Sequence, residues 1–560
     1  MPTYDAIVAG SGITGGWAAK ELTERGLSVL MIERGPSIEH RRDYTTEFTP
    51  PWELPFHGFG DPKVLATSKR VQQYGRMDEW TQGMFVDDEV DIYETPPESA
   101  FRWIRGYHLG GRSLMWGRHS YRMAPVHFKE NTRDKHGLPW PIGYEDLATW
   151  YDYVERYIGV NGTVAGNLPG LPDGQYQPSM GFSAAEQRLA DAIAAHYNDR
   201  RLIPGRTANL TQPIGDRSAC NNRDQCARGC SFGAYFSTQS STLPAARATG
   251  RLTVLTDTIV DSLEYDATSK RVTGVRLIDA KSGAGSIARA KLVFLCTGSI
   301  NSVGVLLRSA SEQTPGGLGN SSGLLGRYIM DHAFAGIMLT TVPGIDDQMY
   351  LGRKPNGIVL PRFVNIKEQE TDFLRGYSYQ GASGRDTWKR GGHGRGIGLT
   401  LKQSLEKPGG WIVGFGISVE CLPRPENRAT VTFSRKDKYG LPLMHIDVRW
   451  SDNEHKAAAH ARQEGRAMLG LLGGTLLPYS EEIEPPGTSI HEMGGACMGN
   501  DPRRSVTNRH NQLHDAPNVF VTDGACMNSC GDRNPSLSYM ALTVRAAAYA
   551  AERFKAGAFA

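Results

Sequence analysis

No stretch of the 560 residues stays apolar for the ~20 positions that a membrane-spanning helix needs. The first residues, MPTYDAIVAG, offer neither a basic leader nor a cleavable hydrophobic segment, so the chain by itself reads as soluble, with no transmembrane segment and no signal peptide. Charge of one sign is also missing. With 62 basic and 59 acidic residues the net charge is +3, too weak a field to argue for nucleic acid or an anionic membrane. The 65 glycines follow no fixed period, which excludes a repeat array and points to many tight turns. HEMGG at 491–495 lacks the second histidine of an HExxH site, which disfavours a zinc hydrolase. Cysteine is scarce, eight in all, yet three of them fall within ACNNRDQCARGC at 219–230.

What is present begins at the N-terminus. YDAIVA at 4–9 is rich in strand formers, GSGITG follows, and WAAKELTERG favours helix. In such a strand–turn–helix, Gly10 permits the tight turn, Gly12 lets the backbone approach a pyrophosphate and Gly15 lets helix pack on strand. A second apolar run, Val29–Ile32, ends in Glu33, an acid placed to accept from ribose hydroxyls. The cradle alone does not separate FAD from NAD. Near the other end, NVFVTDG at 518–524 reads as a buried strand ending in Asp523 and Gly524. NPSLSYMALTVRAAAYAAERF then predicts a long helix with Asn534 as N-cap and Pro535 in its first position. The positive end of such a helix suits charge on a reduced flavin.

Cys220, Cys226 and Cys230 pose an accounting problem. Paired as disulfides they leave one thiol over, and a structural zinc ion takes four ligands. Three soft thiolates match a three-iron cluster, with unmetallated and zinc-bound readings left open.

GSGITG with Glu33, GYHLGGRSLMWG at 106–117, FLCTGSINSVGVLLRS at 294–309, GLLGRYIMDH at 323–332, HEMGGACMG at 491–499 and NVFVTDG with NPSLSYMALTVR occur in one order along the whole chain. Taken together they resemble the glucose–methanol–choline (GMC) oxidoreductase family. That resemblance implies an α/β fold: a discontinuous Rossmann-type FAD-binding domain with an inserted substrate domain built on an antiparallel sheet. The expected division gives 1–50, 100–125, 205–335 and 485–560 to the FAD domain and 126–204 and 336–484 to the substrate domain and loops. The expected activity is oxidation of an alcohol by hydride transfer to flavin N5. Carried onto this sequence, His491 is the base and Asn534 the partner that holds the same oxygen, an imidazole near neutrality suiting proton abstraction.

The resemblance further places Gly110 and Gly111 against the flavin ring, Thr297 and Gly298 beside the adenosine half, and Val260 at the adenine. Where some relatives attach FAD through a histidine, this chain has Met115, so the FAD is expected to be noncovalent, although His108 and His119 lie close by. The Cys-x5-Cys-x3-Cys spacing is similar to that of the large subunits of bacterial FAD-dependent sugar dehydrogenases, which carry a [3Fe–4S] cluster, and most similar to the glucoside 3-dehydrogenase group. The implied substrate is a sugar, glucoside or disaccharide oxidised at C3, with electrons leaving through the cluster to a c-type cytochrome. The implied setting is the periplasm, reached beside a small subunit that bears a twin-arginine signal. The alternatives are an aldose 1-dehydrogenase, a pyranose-oxidase-like enzyme using oxygen, and a noncatalytic electron-transfer subunit.

Overall fold

The computed structural model describes residues 3–68, 77–349, 354–385 and 396–559. Thr3–Ala9 forms the first strand and pairs in parallel with Val29–Ile32 on one side and with Gly285–Leu295 on the other. Leu252–Leu255 extends the sheet beyond Val29–Ile32, and Val519–Val521, from the far end of the chain, adds to Gly285–Leu295. Burial alternates along these strands. Ile7, Leu30, Ile32, Val293 and Leu295 enter one core, while Ala6, Val8, Val29, Met31 and Phe294 enter another. Covered on both faces, the stretches 6–9, 29–32, 292–295 and 519–521 have no polar side to show, which is why they read as continuous apolar runs.

Helices supply the covers. Ile13–Glu24 and the C-terminal helix Ser536–Lys555 pack together on the second face, and Ser299–Arg308 lies on the first. The strand Gly285–Leu295 is shared: from Arg289 onward it belongs to the parallel sheet, whereas its first residues pair antiparallel with Arg271–Asp279, which pairs in turn with Thr258–Asp266.

The second sheet runs Ile203–Pro204, Ile358–Leu360, Tyr377–Arg385, Trp411–Val419, Ala333–Val342, all antiparallel. The helices Asp452–Gly470 and Ala184–His196 cover one face, packing on Ala335, Met338, Tyr379, Phe415 and Ile417. By the period of two, the opposite face carries Phe334, Gln380, Gly416 and Ser418, and it closes over the cavity described below. The fold is therefore the Rossmann-type unit with a sheet-based second unit that the motifs imply.

The boundaries differ from the division expected from sequence. The hairpin of Arg428–Lys436 and Pro442–Asp447 buries Ala429, Met444 and Ile446 in the core of the first sheet, although it falls inside 336–484. The helix Glu145–Ile158, inside 126–204, packs Tyr151 and Val154 against the C-terminal helix. Conversely, Ala333 already belongs to the second sheet. Chain position cannot reveal which core receives an apolar face, since loop connections return segments to either one. No helix among the described residues is long and apolar enough to cross a membrane.

Candidate functional site

One cavity of about 740 Å³ runs from the glycine turn to the face of the second sheet, in the upper part of the ~300–1,000 Å³ range of ligand sites. Gly10 has φ +90°, and a Cβ there would meet the Cys296 carbonyl; a Cβ on Gly15 would lie 1.9 Å from the Gly10 carbonyl oxygen. Gly12, by contrast, has open space where a side chain would stand, on the cavity wall. Tight turn, bare backbone and helix N-terminus together make a cradle that suits a pyrophosphate. Gly15→Ala is accordingly expected to cost roughly 1–3 kcal/mol through overpacking and to purify largely stripped of flavin, read as lost visible absorbance and a lowered melting temperature.

Glu33 stands where the spacing predicts, buried, with its pKa raised by burial. Its carboxylate is already engaged: Ser11 donates its N–H (3.1 Å) and hydroxyl (2.5 Å) to Oε2, and Gly35 donates N–H to Oε1 (3.1 Å). The Ser11 oxygen also accepts from the Gly110 N–H (2.8 Å), tying the glycine turn to the Gly110–Gly111 segment. The motif gave no reason to single out Ser11, because its role depends on two strands and a loop meeting in space.

Val260, Thr297 and Gly298 line the same cavity on the side of the first sheet, and Asp523, Gly524 and Pro535 line it from the C-terminal segment. Asp523 accepts from Ser302 (2.5 Å) and from the backbone of Gly298 (2.9 Å) and Ala525 (3.0 Å), while burial pushes its pKa up to about 6. Gly111 lines the cavity; Gly110, at φ +90°, is wedged against the Gln239 side chain instead. Met115 and His119 line the wall. His108 does not, its Nδ1 facing the Leu109 carbonyl and its Nε2 buried without a partner. Arg112 is a further wall residue that the motifs left unassigned, bridged to the buried Glu492 at 3.1 and 2.8 Å.

His491 and Asn534 meet where the cavity passes under the second sheet. Asn534 Nδ2 donates to His491 Nε2 at 3.0 Å. This alters the reading of Asn534 as a helix cap. The helix begins at Ser536 with Pro535 as its N-cap, and the Asn534 side chain is drawn instead to the histidine. Its Oδ1 is buried with no hydrogen-bond partner among the described residues. Burial lowers the His491 pKa well below 6.5, with His332, Arg112 and His119 adding to the effect, so the ring is a neutral base. The same cavity is lined by Phe334, Ile337, Gln380 and Ser418 from the sheet, and by Thr488 and Ser489 from the loop before His491. The charged neighbour Glu484 is held by Arg102 at 2.6 Å.

All eight cysteines are free. Cys220, Cys226 and Cys230 are partly exposed and share one loop, whereas the other five are buried. The Asn222 N–H points at Cys220 Sγ (3.5 Å), and Arg223, which also pairs with Glu47, lies 3.9 Å from Cys230 Sγ. The turn Cys226–Arg228 packs against Gly111–Leu114, and the Tyr235 hydroxyl donates to the Leu114 carbonyl at 2.7 Å. The three sulfurs are not gathered to within 4.8 Å of one another, as the ligand atoms of one ion would be.

Two family models, both described as GMC oxidoreductase, match residues 202–334 and 425–543. Over 558 residues the chain is 25% identical to the fructose dehydrogenase large subunit of Gluconobacter japonicus, with 97% of each chain covered. A shorter match, 32% identical over 144 residues, spans 26% of this chain and 28% of a C-glycoside 3-oxidase of Arthrobacter globiformis. The crystal structure of pyridoxine 4-oxidase from Mesorbium loti has the same fold, with a TM-score of 0.60 at 16% identity, covering 97% of this chain and 98% of that one.

Proposed function

We propose that the chain is a GMC oxidoreductase that binds FAD, a reading the two family models support, and that it is a dehydrogenase that oxidises a ring hydroxyl of a neutral sugar or glycoside, at C3. The observation that carries this reading is the His491–Asn534 pair, set where the cavity meets a wall of apolar and uncharged polar side chains. Bound FAD supplies a hydride acceptor. The protein's part is to take the hydroxyl proton at His491 Nε2 while Asn534 holds the same oxygen, as a base of depressed pKa and an amide donor are suited to do. Gln380, Ser418 and Thr488 can bond the remaining hydroxyls, and Phe334 can lie against the apolar face of a sugar ring. The Glu484 carboxylate on this wall is paired with Arg102, which offsets its charge toward a neutral substrate. The choice of C3 draws on the local similarity to a C-glycoside 3-oxidase and on the cysteine spacing.

Electrons are proposed to leave by way of Cys220, Cys226 and Cys230. These residues would hold a [3Fe–4S] cluster, which supplies one-electron transfer. The fit rests on three free thiols in one loop, an amide N–H and an arginine facing the sulfurs, and a turn that abuts the Gly111–Leu114 wall of the flavin cavity. A c-type cytochrome as acceptor, a small subunit bearing the export signal, and a periplasmic location complete the proposal. The relative named as a large subunit, matched over 97% of its length, supports a multi-subunit arrangement.

Anaerobic mixing of the FAD-loaded protein with glucose, methyl glucoside, lactose or gluconate, followed by NMR of the products, tests the reading. Bleaching by the neutral sugars and a 3-keto product are expected. Bleaching by gluconate alone, or oxidation at C1, would overturn the assignment, and rapid peroxide formation on admitting oxygen would make the protein an oxidase.

A further inference from the structure

The segment GLLGRYIMDH ends in Asp331 and His332, immediately before the strand Ala333–Val342, and both side chains turn on His491. Asp331 grips the backbone. Its Oδ1 accepts from the His491 N–H (3.0 Å) and its Oδ2 from those of Gly487 (2.9 Å) and Ser489 (3.2 Å). His332 grips the ring. It is 1% exposed, its Nδ1 lies 3.0 Å from His491 Nδ1 with the two planes at 90°, and its Nε2 lies 3.0 Å from the Gly531 carbonyl oxygen.

The direction of every bond in this chain follows from its last member. A carbonyl oxygen can only accept, so His332 Nε2 carries a proton. A buried neutral imidazole has one N–H, and burial holds the His332 pKa down to about 4, so its Nδ1 is a bare lone pair. The proton between the two rings therefore sits on His491 Nδ1. His491, neutral as well, is left with its lone pair on Nε2, where Asn534 donates.

We propose that His332 is a positioning residue that locks His491 in the Nδ1–H tautomer, so that its unprotonated Nε2 faces the cavity. The proposal rests on the reading of His491 as the base. When the substrate hydroxyl takes the place of the Asn534 amide at Nε2 and its O–H bond breaks, its proton goes to Nε2 and its electron pair stays on oxygen. Nδ1 keeps its own proton, still donated to His332. With that partner gone, His491 is free to carry its proton on Nε2, and a ring in that form presents an N–H to the hydroxyl and cannot accept from it.

The test uses FAD-loaded protein labelled with ¹⁵N-histidine, with His332→Ala and His332→Asn as variants. The asparagine oxygen can stand near the place of Nδ1 and accept the same proton. In the unsubstituted protein the His491 signal, identified by its loss in His491→Ala, is expected to show a protonated Nδ1 and a bare Nε2. His332→Ala is expected to slow anaerobic flavin reduction roughly tenfold with KM little changed, and to shift the His491 signal toward the other tautomer. His332→Asn should restore much of both. A protonated Nε2 in the unsubstituted protein, an alanine variant with unaltered rate and tautomer, or an asparagine variant as slow as alanine would overturn the proposal. If the alanine variant does not fold, the unsubstituted spectrum and the asparagine variant decide. Full flavin reduction by His491→Ala would instead sink the reading of the base itself.

Discussion

His491→Ala is expected to slow reduction of the bound flavin by substrate roughly 10²–10⁴-fold, the range for losing a positioned general base, while FAD stays bound. The cofactor cradle, from Gly10 to Glu33, is remote in sequence and is held by the first sheet and by Ser11, none of which uses the imidazole. What disappears is the neutral nitrogen base to which the Asn534 amide donates. The same assignment fixes the pH dependence. The base works unprotonated, so activity falls as pH drops through its pKa. Burial lowers that pKa well below 6.5, so the acid limb of kcat/KM lies on the acid side of 6.5 and the rate is flat across neutrality. A limb above 6.5 that survives in His491→Ala would point to another base. Stopped-flow reduction rates of the two proteins, with a pH series on each, separate these outcomes, and an unchanged reduction rate would remove His491 from the chemistry.

Much of the cradle was legible because it is local. A strand, three glycines, a helix and an acid after the next strand all fall within 33 residues, and the period of the apolar positions settles their arrangement. The C-terminal strand and helix were legible for the same reason. The meeting of His491 with Asn534, 43 residues apart, needed the family resemblance, and Asn534 read alone looked like a helix cap. That misreading has a plain cause: an asparagine before a proline caps a helix unless a stronger partner claims its amide, and the partner comes from another segment. His332, Ser11 and Arg112 were unreadable as site residues because each acts through a contact more than 90 positions away in the chain. The sheet face that would meet substrate was hidden too. Alternation marks two faces of Tyr377–Arg385 and Trp411–Val419, but nothing in the sequence says which one the helices cover and which the cavity receives.

Cys226→Ser separates the two halves of the proposed electron route. Serine keeps the volume of cysteine, and the position is partly exposed on a short turn, so the fold should tolerate it. What changes is ligand softness: a hydroxyl is a poor partner for iron where a thiolate is a good one. Iron and inorganic sulfide in the purified protein are expected to fall, and cytochrome c reduction to slow on the order of 100-fold, at the upper end of what a disturbed metal site costs. Anaerobic flavin reduction by sugar should keep its rate, because His491, Asn534 and the cavity wall lie outside the cysteine loop. A small dye that reaches the flavin through the cavity should still be reduced, showing that the block lies beyond the flavin. The geometry makes the cysteine loop the natural place for such a block: the turn Cys226–Arg228 rests on Gly111–Leu114, and the three thiols of the loop are partly exposed. Unaltered cytochrome reduction by Cys226→Ser, or an unsubstituted protein that purifies without iron, would leave the three thiols with no part in electron exit, and the oxidation of sugar at His491 would then have to be coupled to an acceptor that enters the flavin cavity itself.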